Sequence, residues 1–373
     1  MKHGDGVHGK GGRLGDARAW VTAAQGQILT LLEAEHAIVH PELESRLSDE
    51  GVRNGQKRLH FDPHILSEAV RELKALGLIA ERSHATKGGR SVPVMTLGDT
   101  RGRETVVGQA VRRKGMLYAR FRVLVDTAGD AGERVIRHSL SIAGPNVVPI
   151  APGFGEVSSL LGVRLHGPLD SGAWLLNVDQ TTGKPTTYTL PLEVKNRRQV
   201  LYPIHKEVHQ LLLKAAEVQI ANPTSPVMPV LVCRRAHTWL FWMARDLGFR
   251  VHATNKQYIY VTKNLDERRI AEIRNELRLL DLTVVSRTGT DIPTVREFFQ
   301  KTIHTAAPIA SPRWAIAAPI VLPYSEALRN EDMEPAERLE AVRDMRQELE
   351  RAMEHAGYDD EFRTWSLPDL DED

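Results

Sequence analysis

The chain has 373 residues, 42% hydrophobic and 26% charged, an ordinary globular composition long enough for two or three domains. Its 49 Lys+Arg against 48 Asp+Glu leave a net charge of +1, which excludes a histone-like polycation, and one cysteine, Cys233, excludes a disulfide framework or a multi-cysteine zinc site. No run approaches the ~20 apolar residues of a membrane span, so a cytoplasmic protein with no membrane partner is expected.

In chain order, residues 1–16 are rich in Gly, His and charge and read as a disordered arm without the apolar core of a signal peptide. Residues 17–37 form the first helical pattern, with Trp20, Ile28, Leu31 and Leu32 on one side. Pro41 to Leu47 suggests a shorter helix. The third is the clearest: Asp62 is a good N-cap, Pro63 sits at N1, and Ile65, Leu66, Ala69, Val70, Leu73 and Leu76 recur at helical spacing. Gly77 stops it. Two short strands around Ile79 to Glu81 and Val92 to Leu97 flank the turn Thr86-Lys87-Gly88-Gly89-Arg90.

Three helices followed by a basic-tipped hairpin resemble a winged helix-turn-helix DNA-binding domain over residues 17–100. The resemblance implies a third helix in the major groove and a wing on the phosphates. Its candidate contacts are His64, Ser67, Arg71 and Lys74 on the helix and Lys87 and Arg90 on the wing. A winged helix that only dimerises or binds protein is the competing reading.

Residues 101–130 read as a basic connector. Arg101, Arg103, Arg112, Arg113, Lys114, Arg120 and Arg122 face one acid, Glu104, up to residue 122, with Tyr118 and Phe121 interleaved. Either they track phosphates or the aromatics fill a core. From Gly132 helices and strands alternate, as in an α/β domain over 131–303. Helices are expected at Glu133 to Ile142, 155–161, 204–219, Thr238 to Leu247, Asp266 to Leu280 and Thr294 to Thr302. Strands are expected at Trp174 to Val178, Thr187 to Lys195, Val230 to Cys233, within Phe249 to Val261, and at Leu282 to Ser286. Residues 305–330 are apolar but broken by proline and are expected to drape over the surface. Pro335 to His355 is an amphipathic helix, and Asp359 to Asp373 an acidic, mobile end. Trp239, Phe241 and Trp242 are expected in the core.

Gly183-Lys184 is followed by Pro185 and lacks the glycine spacing of a phosphate-binding loop, and Gly153-Phe154-Gly155 has no third glycine. What remains is Leu190-Pro191-Leu192-Glu193-Val194-Lys195-Asn196-Arg197-Arg198. Two lysines have an acid two residues earlier, Lys74 and Lys195. On a helix, Glu72 and Lys74 lie on different sides. On a strand, Glu193 and Lys195 share one face, with Val194 opposite. Asp170, in Gly167-Pro168-Leu169-Asp170, enters the hairpin before Glu193 and can approach its carboxylate. Two carboxylates and an ammonium without His or Cys suit a hard cation such as Mg²⁺.

This arrangement resembles the PD-(D/E)xK nuclease superfamily over residues 131–262. Pro168-Leu169-Asp170 stands for the Pro-Asp element, with Leu169 an insertion. Glu193-Val194-Lys195 stands for (D/E)xK. The resemblance implies a restriction-endonuclease-like mixed sheet flanked by helices and Mg²⁺-dependent phosphodiester hydrolysis, with Mn²⁺ as a substitute. It further implies metal on Asp170 and Glu193 and a nucleophilic water handled by Lys195. An auxiliary acid from the first core helix would be Glu133, with Glu156 its rival, and Asp179 is the fallback for the first acid. Asn196, Arg197 and Arg198 would lie near the phosphate backbone. Arg234, Arg235 and His237 could touch DNA or merely cap and solvate a strand end. His205 and His209, at i and i+4, are read as ordinary histidines without a third ligand.

The expected protein is a DNA endonuclease of restriction, defence or repair type, nucleoid-associated if bacterial. A double-strand cut implies a homodimer, because one such site cuts one strand at a time. A DNA-binding regulator with a non-catalytic scaffold and an RNA-cleaving enzyme are the alternatives. The charge balance supports a polyanion partner once divided. Residues 331–373 hold 16 acids and 5 Lys+Arg, a net of −11, while the first 330 hold 44 basic against 32 acidic residues, +12. The acidic end would then mimic DNA over the basic surface.

Overall fold

The computed structural model describes residues 16–54, 57–85, 91–150, 155–178, 182–263, 265–358, 362, 363 and 365. They form two compact units. The first holds residues up to Leu124 and Val261–Leu280; the second holds Val125–Tyr260 and the chain from Asp281 to Ser366.

In the first unit α1 (Asp16–Glu35) leads into α2 (His40–Glu44), which continues through a π-helical stretch, Ser45–Glu50. An unanticipated hairpin of β1 (Val52–Asn54) and β2 (Lys57–Leu59) comes before α3 (Pro63–Ala75). Three-residue strands are too short to show alternation in sequence. β3 (Ile79–Ala85) and β4 (Ser91–Leu97) then pair antiparallel, and Ile38 bridges Met95 on β4. The core joins Ile28 and Leu32 of α1 to Leu66, Ala69 and Leu73 of α3, with Trp20 edge-on to Phe61 at 5.6 Å.

The expected basic connector is largely a 22-residue helix, α4 (Glu104–Val125). Val107, Leu117 and Phe121 are buried on it, so the core-filling reading holds for Phe121, on which Tyr118 stacks at 6.3 Å. Lys114 is buried too. Its Nζ donates to Glu42 Oε1 at 2.6 Å and to the Glu276 carbonyl at 2.9 Å. Arg113 also pairs with Glu276. Val261–Leu280, placed by sequence inside the α/β domain, therefore belongs with the first unit.

The second unit starts with α5 (Ala128–Ser141), β5 (Val147–Pro149), β6 (Val157–Leu160), β7 (Val163–Leu169), β8 (Ser171–Val178) and β9 (Pro185–Lys195). It continues with α6 (Lys206–Ala221), β10 (Val230–Cys233), α7 (Thr238–Leu247), β11 (Arg250–Ala253) and β12 (Gln257–Ile259). After α8 (Glu267–Glu276) of the first unit come β13 (Leu282–Val284), α9 (Pro293–Glu297), a π-helical stretch Phe298–Thr302, α10 (Ile303–Leu328) and α11 (Pro335–His355).

The result is a mixed α/β structure. A five-stranded sheet runs in the order β11–β10–β9–β8–β5. The β5–β8 and β8–β9 pairs are antiparallel, while β9–β10 and β10–β11 are parallel. The middle strand, β9, is buried from Tyr188 to Val194, as a strand covered on both faces should be. One face packs Leu190, Leu192 and Val194 against Val135 and Ile136 of α5 and Phe299. The other packs Leu231 and Cys233 with Leu211, Leu212, Leu240, Trp314 and Met345.

Four expectations need correction. Residues 157–160 are strand β6 rather than helix, because Leu161 and Gly162 both take positive φ, +48° and +79°, and form a two-residue hairpin turn into β7. Residues 303–328 are a helix rather than a surface strap. Pro308, Pro312, Pro319 and Pro323 all lie on its exposed side, while Ala307, Trp314, Ala318, Val321 and Leu328 form the buried stripe. The His304 carbonyl freed by Pro308 accepts from Asn177 Nδ2 at 2.8 Å, and burial of the stripe opposite the prolines outweighs the propensity cost. On α7 the buried residues are Leu240, Met243, Ala244, Asp246 and Leu247, whereas Phe241 is exposed and Trp239 and Trp242 are half-buried. The acidic end is anchored: Phe362 and Trp365 are buried, and Trp365 Nε1 donates to Asp246 Oδ2 at 2.8 Å. Apart from Arg363, the rest of 359–373 lies outside the described residues. Among the described residues no helix is long and apolar enough to cross a membrane.

Candidate active site

β8 and β9 bring the expected acids together. Ser171 pairs with Leu192, so Asp170, at the corner between β7 and β8, lies beside Glu193. The Val194 N–H donates to Asp170 Oδ2 at 2.6 Å. Period-two alternation sends Leu192 and Val194 into one face of the core and Glu193 and Lys195 to the other. Lys195 Nζ donates to Glu193 Oε2 at 3.2 Å and stands 3.8 Å from Asp170 Oδ2.

α5 supplies the third carboxylate. Gly132 lets this helix approach the end of β9: a Cβ there would lie 2.5 Å from the Asn196 Cβ. Asn196 pins the contact, its Nδ2 donating to the Ala128 carbonyl at 2.7 Å and the Tyr258 carbonyl at 2.8 Å. Glu133, the next residue, accepts from Arg137 Nη2 at 2.8 Å. Arg137 also donates through Nε and Nη2 to the Asp170 carbonyl at 3.1 and 2.8 Å. The rival acid, Glu156, is exposed ahead of β6. Asp179 lies outside the described residues.

The charges interact strongly. Glu193 is 1% exposed. Burial pushes its carboxyl up to about 7, helped by the hydrogen bond its protonated form donates to Asp170 and by the Asp170 charge, and opposed by Lys195 and Lys214. Glu133 is also raised, first by burial and then by Asp170. Two carboxyl groups that each disfavour ionisation beside a third are a site that a cation relieves.

Two cations at this site escaped the motif. Lys214, on α6, donates to Glu193 Oε1 and to the Pro168 carbonyl, the latter at 2.5 Å. Its signal was a lone lysine within the otherwise apolar run Leu211-Leu212-Leu213-Lys214-Ala215-Ala216. Arg137 was legible as the i+4 partner of Glu133.

Other candidates occupy different environments. Arg197 is exposed and pairs with Glu207 at 2.9 Å. Arg198 turns inward, with Nη1 2.5 Å from Asp281 Oδ1; buried Arg234 holds Asp281 Oδ2 at 2.5 Å. Burial pushes the Asp281 carboxyl up, but the two guanidinium groups outweigh it and hold it below the usual range. Asn196 and Arg198 thus serve the core around β9 rather than an open surface. Arg71 pairs with Glu68 and Lys74 with Glu81, both at 2.6 Å on exposed parts of the first unit. Ser67 donates to the Pro63 carbonyl at 2.9 Å, and Lys87 and Arg90 lie outside the described residues. His209 is fully buried, with Nε2 2.7 Å from the Pro203 carbonyl and Nδ1 3.1 Å from Ser325 Oγ, as befits a core histidine.

No protein-family model matches the chain, and no characterised protein or solved structure matches it.

Proposed function

We propose that the chain is a Mg²⁺-dependent DNA endonuclease of restriction, defence or repair type. The observation that carries this reading is the convergence of Asp170, Glu193 and Lys195 at the β8–β9 pair, with Glu133 drawn in by α5. The strand order supports it: an antiparallel meander, a helix, then parallel strands, as in a restriction-endonuclease-like core.

The donor set fits the ion. Asp170 and Glu193 offer carboxylate oxygens, which Mg²⁺ prefers over nitrogen or sulfur. Mg²⁺ held there would supply charge stabilisation at the phosphate's non-bridging oxygen and would lower the pKa of an attacking water. Lys195 Nζ, which donates to Glu193 Oε2, would donate to the oxygen of such a water and orient it. Arg137 fixes the Asp170 backbone and keeps Glu133 close. The first unit, with α3 and the β3–β4 hairpin in winged-helix order, holds duplex DNA through Arg71 and Lys74, and Arg197 adds a phosphate contact.

Plasmid DNA with Mg²⁺ tests the reading. Wild type should cut, and Asp170→Ala and Lys195→Ala should lose at least about 100-fold in rate. Equal cutting by Lys195→Ala would displace the site. One observation favours a second reading, a DNA-binding regulator on a non-catalytic scaffold: Lys195, Lys214 and Arg137 already neutralise the three carboxylates. DNA binding without cleavage under every metal tried would select it.

A further inference from the structure

We propose that Lys214 is a resident counter-cation that holds the place of the divalent ion at Glu193 and must withdraw before the ion binds. This rests on the nuclease reading and adds a control of ion entry to it. The (D/E)xK pattern accounts for one lysine, Lys195, on the Oε2 side of Glu193. Lys214 takes the other oxygen, Oε1, from a different element, and ties the same ammonium to the Pro168 carbonyl. Both oxygens of the carboxylate that should hold the ion are therefore engaged by ammonium groups. A divalent ion and an ammonium cannot share one carboxylate oxygen without strong repulsion.

The way out is built into α6. Its neighbours Leu211, Leu212, Ala215 and Ala216 are locked in the core, so the helix stays fixed. The four-carbon lysine stem is flexible, and the ammonium can swing away without moving the backbone. A polyanionic substrate is the natural acceptor for the displaced charge, so ion and substrate should bind together, each weakly alone.

Free Mn²⁺, read by electron paramagnetic resonance in titrations of the full chain, tests the assignment. Lys214→Met should bind Mn²⁺ about tenfold more tightly than wild type, since a nearby positive charge has gone. Lys214→Arg keeps the charge and should stay near wild type. A lysine that merely braced Glu193 would give the opposite sign, so unchanged or weaker binding in Lys214→Met overturns the proposal. Wild type provides a second measurement in case that variant fails to fold. Reductive methylation of Lys214, followed by mass spectrometry, should rise when Mg²⁺ is added; equal labelling with and without Mg²⁺ overturns the proposal. Two controls separate the failures. If Glu193→Gln and Asp170→Asn bind Mn²⁺ as wild type does, the metal site is elsewhere, and both readings fall. If they abolish binding while Lys214→Met leaves it unchanged, the counter-cation assignment alone falls.

Discussion

Glu42 in the first unit and Glu193 in the second are both buried glutamates held by a lysine and a second cation, yet their surroundings differ in one respect. Glu42 accepts from Lys114 at 2.6 Å and Arg46 at 2.9 Å, and Arg46 also reaches Glu35. Glu193 accepts from Lys195 and Lys214 but also lies against Asp170. Burial raises both carboxyl groups above the usual range. Around Glu42 only cations oppose that rise; around Glu193 a second carboxylate adds to it. The first pattern is what a structural ion pair needs. The second keeps like charges together at a cost to stability, which is what the proposed metal site calls for.

The largest effect that could break this comparison comes from exchanging the two roles. Lys114→Met should cost about 3–5 kcal/mol of stability in urea unfolding, because Glu42 is left buried with one partner fewer, and it should not change the cleavage rate at a temperature where the variant is folded. Glu193→Gln should do the reverse, losing at least about 100-fold in cleavage with no loss of stability at pH 8. A large stability loss in Glu193→Gln would make that residue a structural partner like Glu42.

A smaller effect is expected at Gly132. Gly132→Ala places a Cβ against Asn196 and should cost about 1–3 kcal/mol by overpacking, while moving Glu133 away from Asp170. Cleavage should fall with it; full activity at reduced stability would remove Glu133 from the site.

The smallest effect is in pH. The folded pKa of Glu193, about 7, lies above its ordinary value of 4.5. The unfolded chain therefore releases this proton first, and the Glu193 contribution to stability falls as pH rises from about 4.5 to about 7 and is flat above. Buried His209, held down to about 4 by burial, runs the opposite way and loses stability as pH falls below about 6.5. The difference between wild type and Glu193→Gln isolates the carboxyl. The variant should gain on wild type between about pH 4.5 and about pH 7; equal slopes would place Glu193 in a wetter setting than its burial implies.

The acidic end is also changed by the structure. Val342, Met345, Leu349 and Met353 of α11 are buried, and Trp365 is fixed to Asp246. A truncation before Trp365 would remove core packing along with charge, so a DNA-mimic role has to be tested by charge reversal on exposed α11 residues rather than by deletion.

The sequence by itself determined most elements and which side chains of β9 share a face. Apolar spacing marked α1, α3 and α11, because helical periodicity survives wherever one face is buried. Strand alternation put Glu193 and Lys195 on one side and Val194 on the other, since pleating leaves no alternative. The tertiary structure alone decided which distant groups join them. Lys214 lies on α6 and Arg137 on α5, and their contacts with Glu193 and Asp170 depend on how those helices pack on the sheet. Tertiary packing likewise made a helix of the proline-rich residues 303–328 and drew Trp365 into the core, because burial of an apolar stripe outweighs the local penalties that a sequence displays.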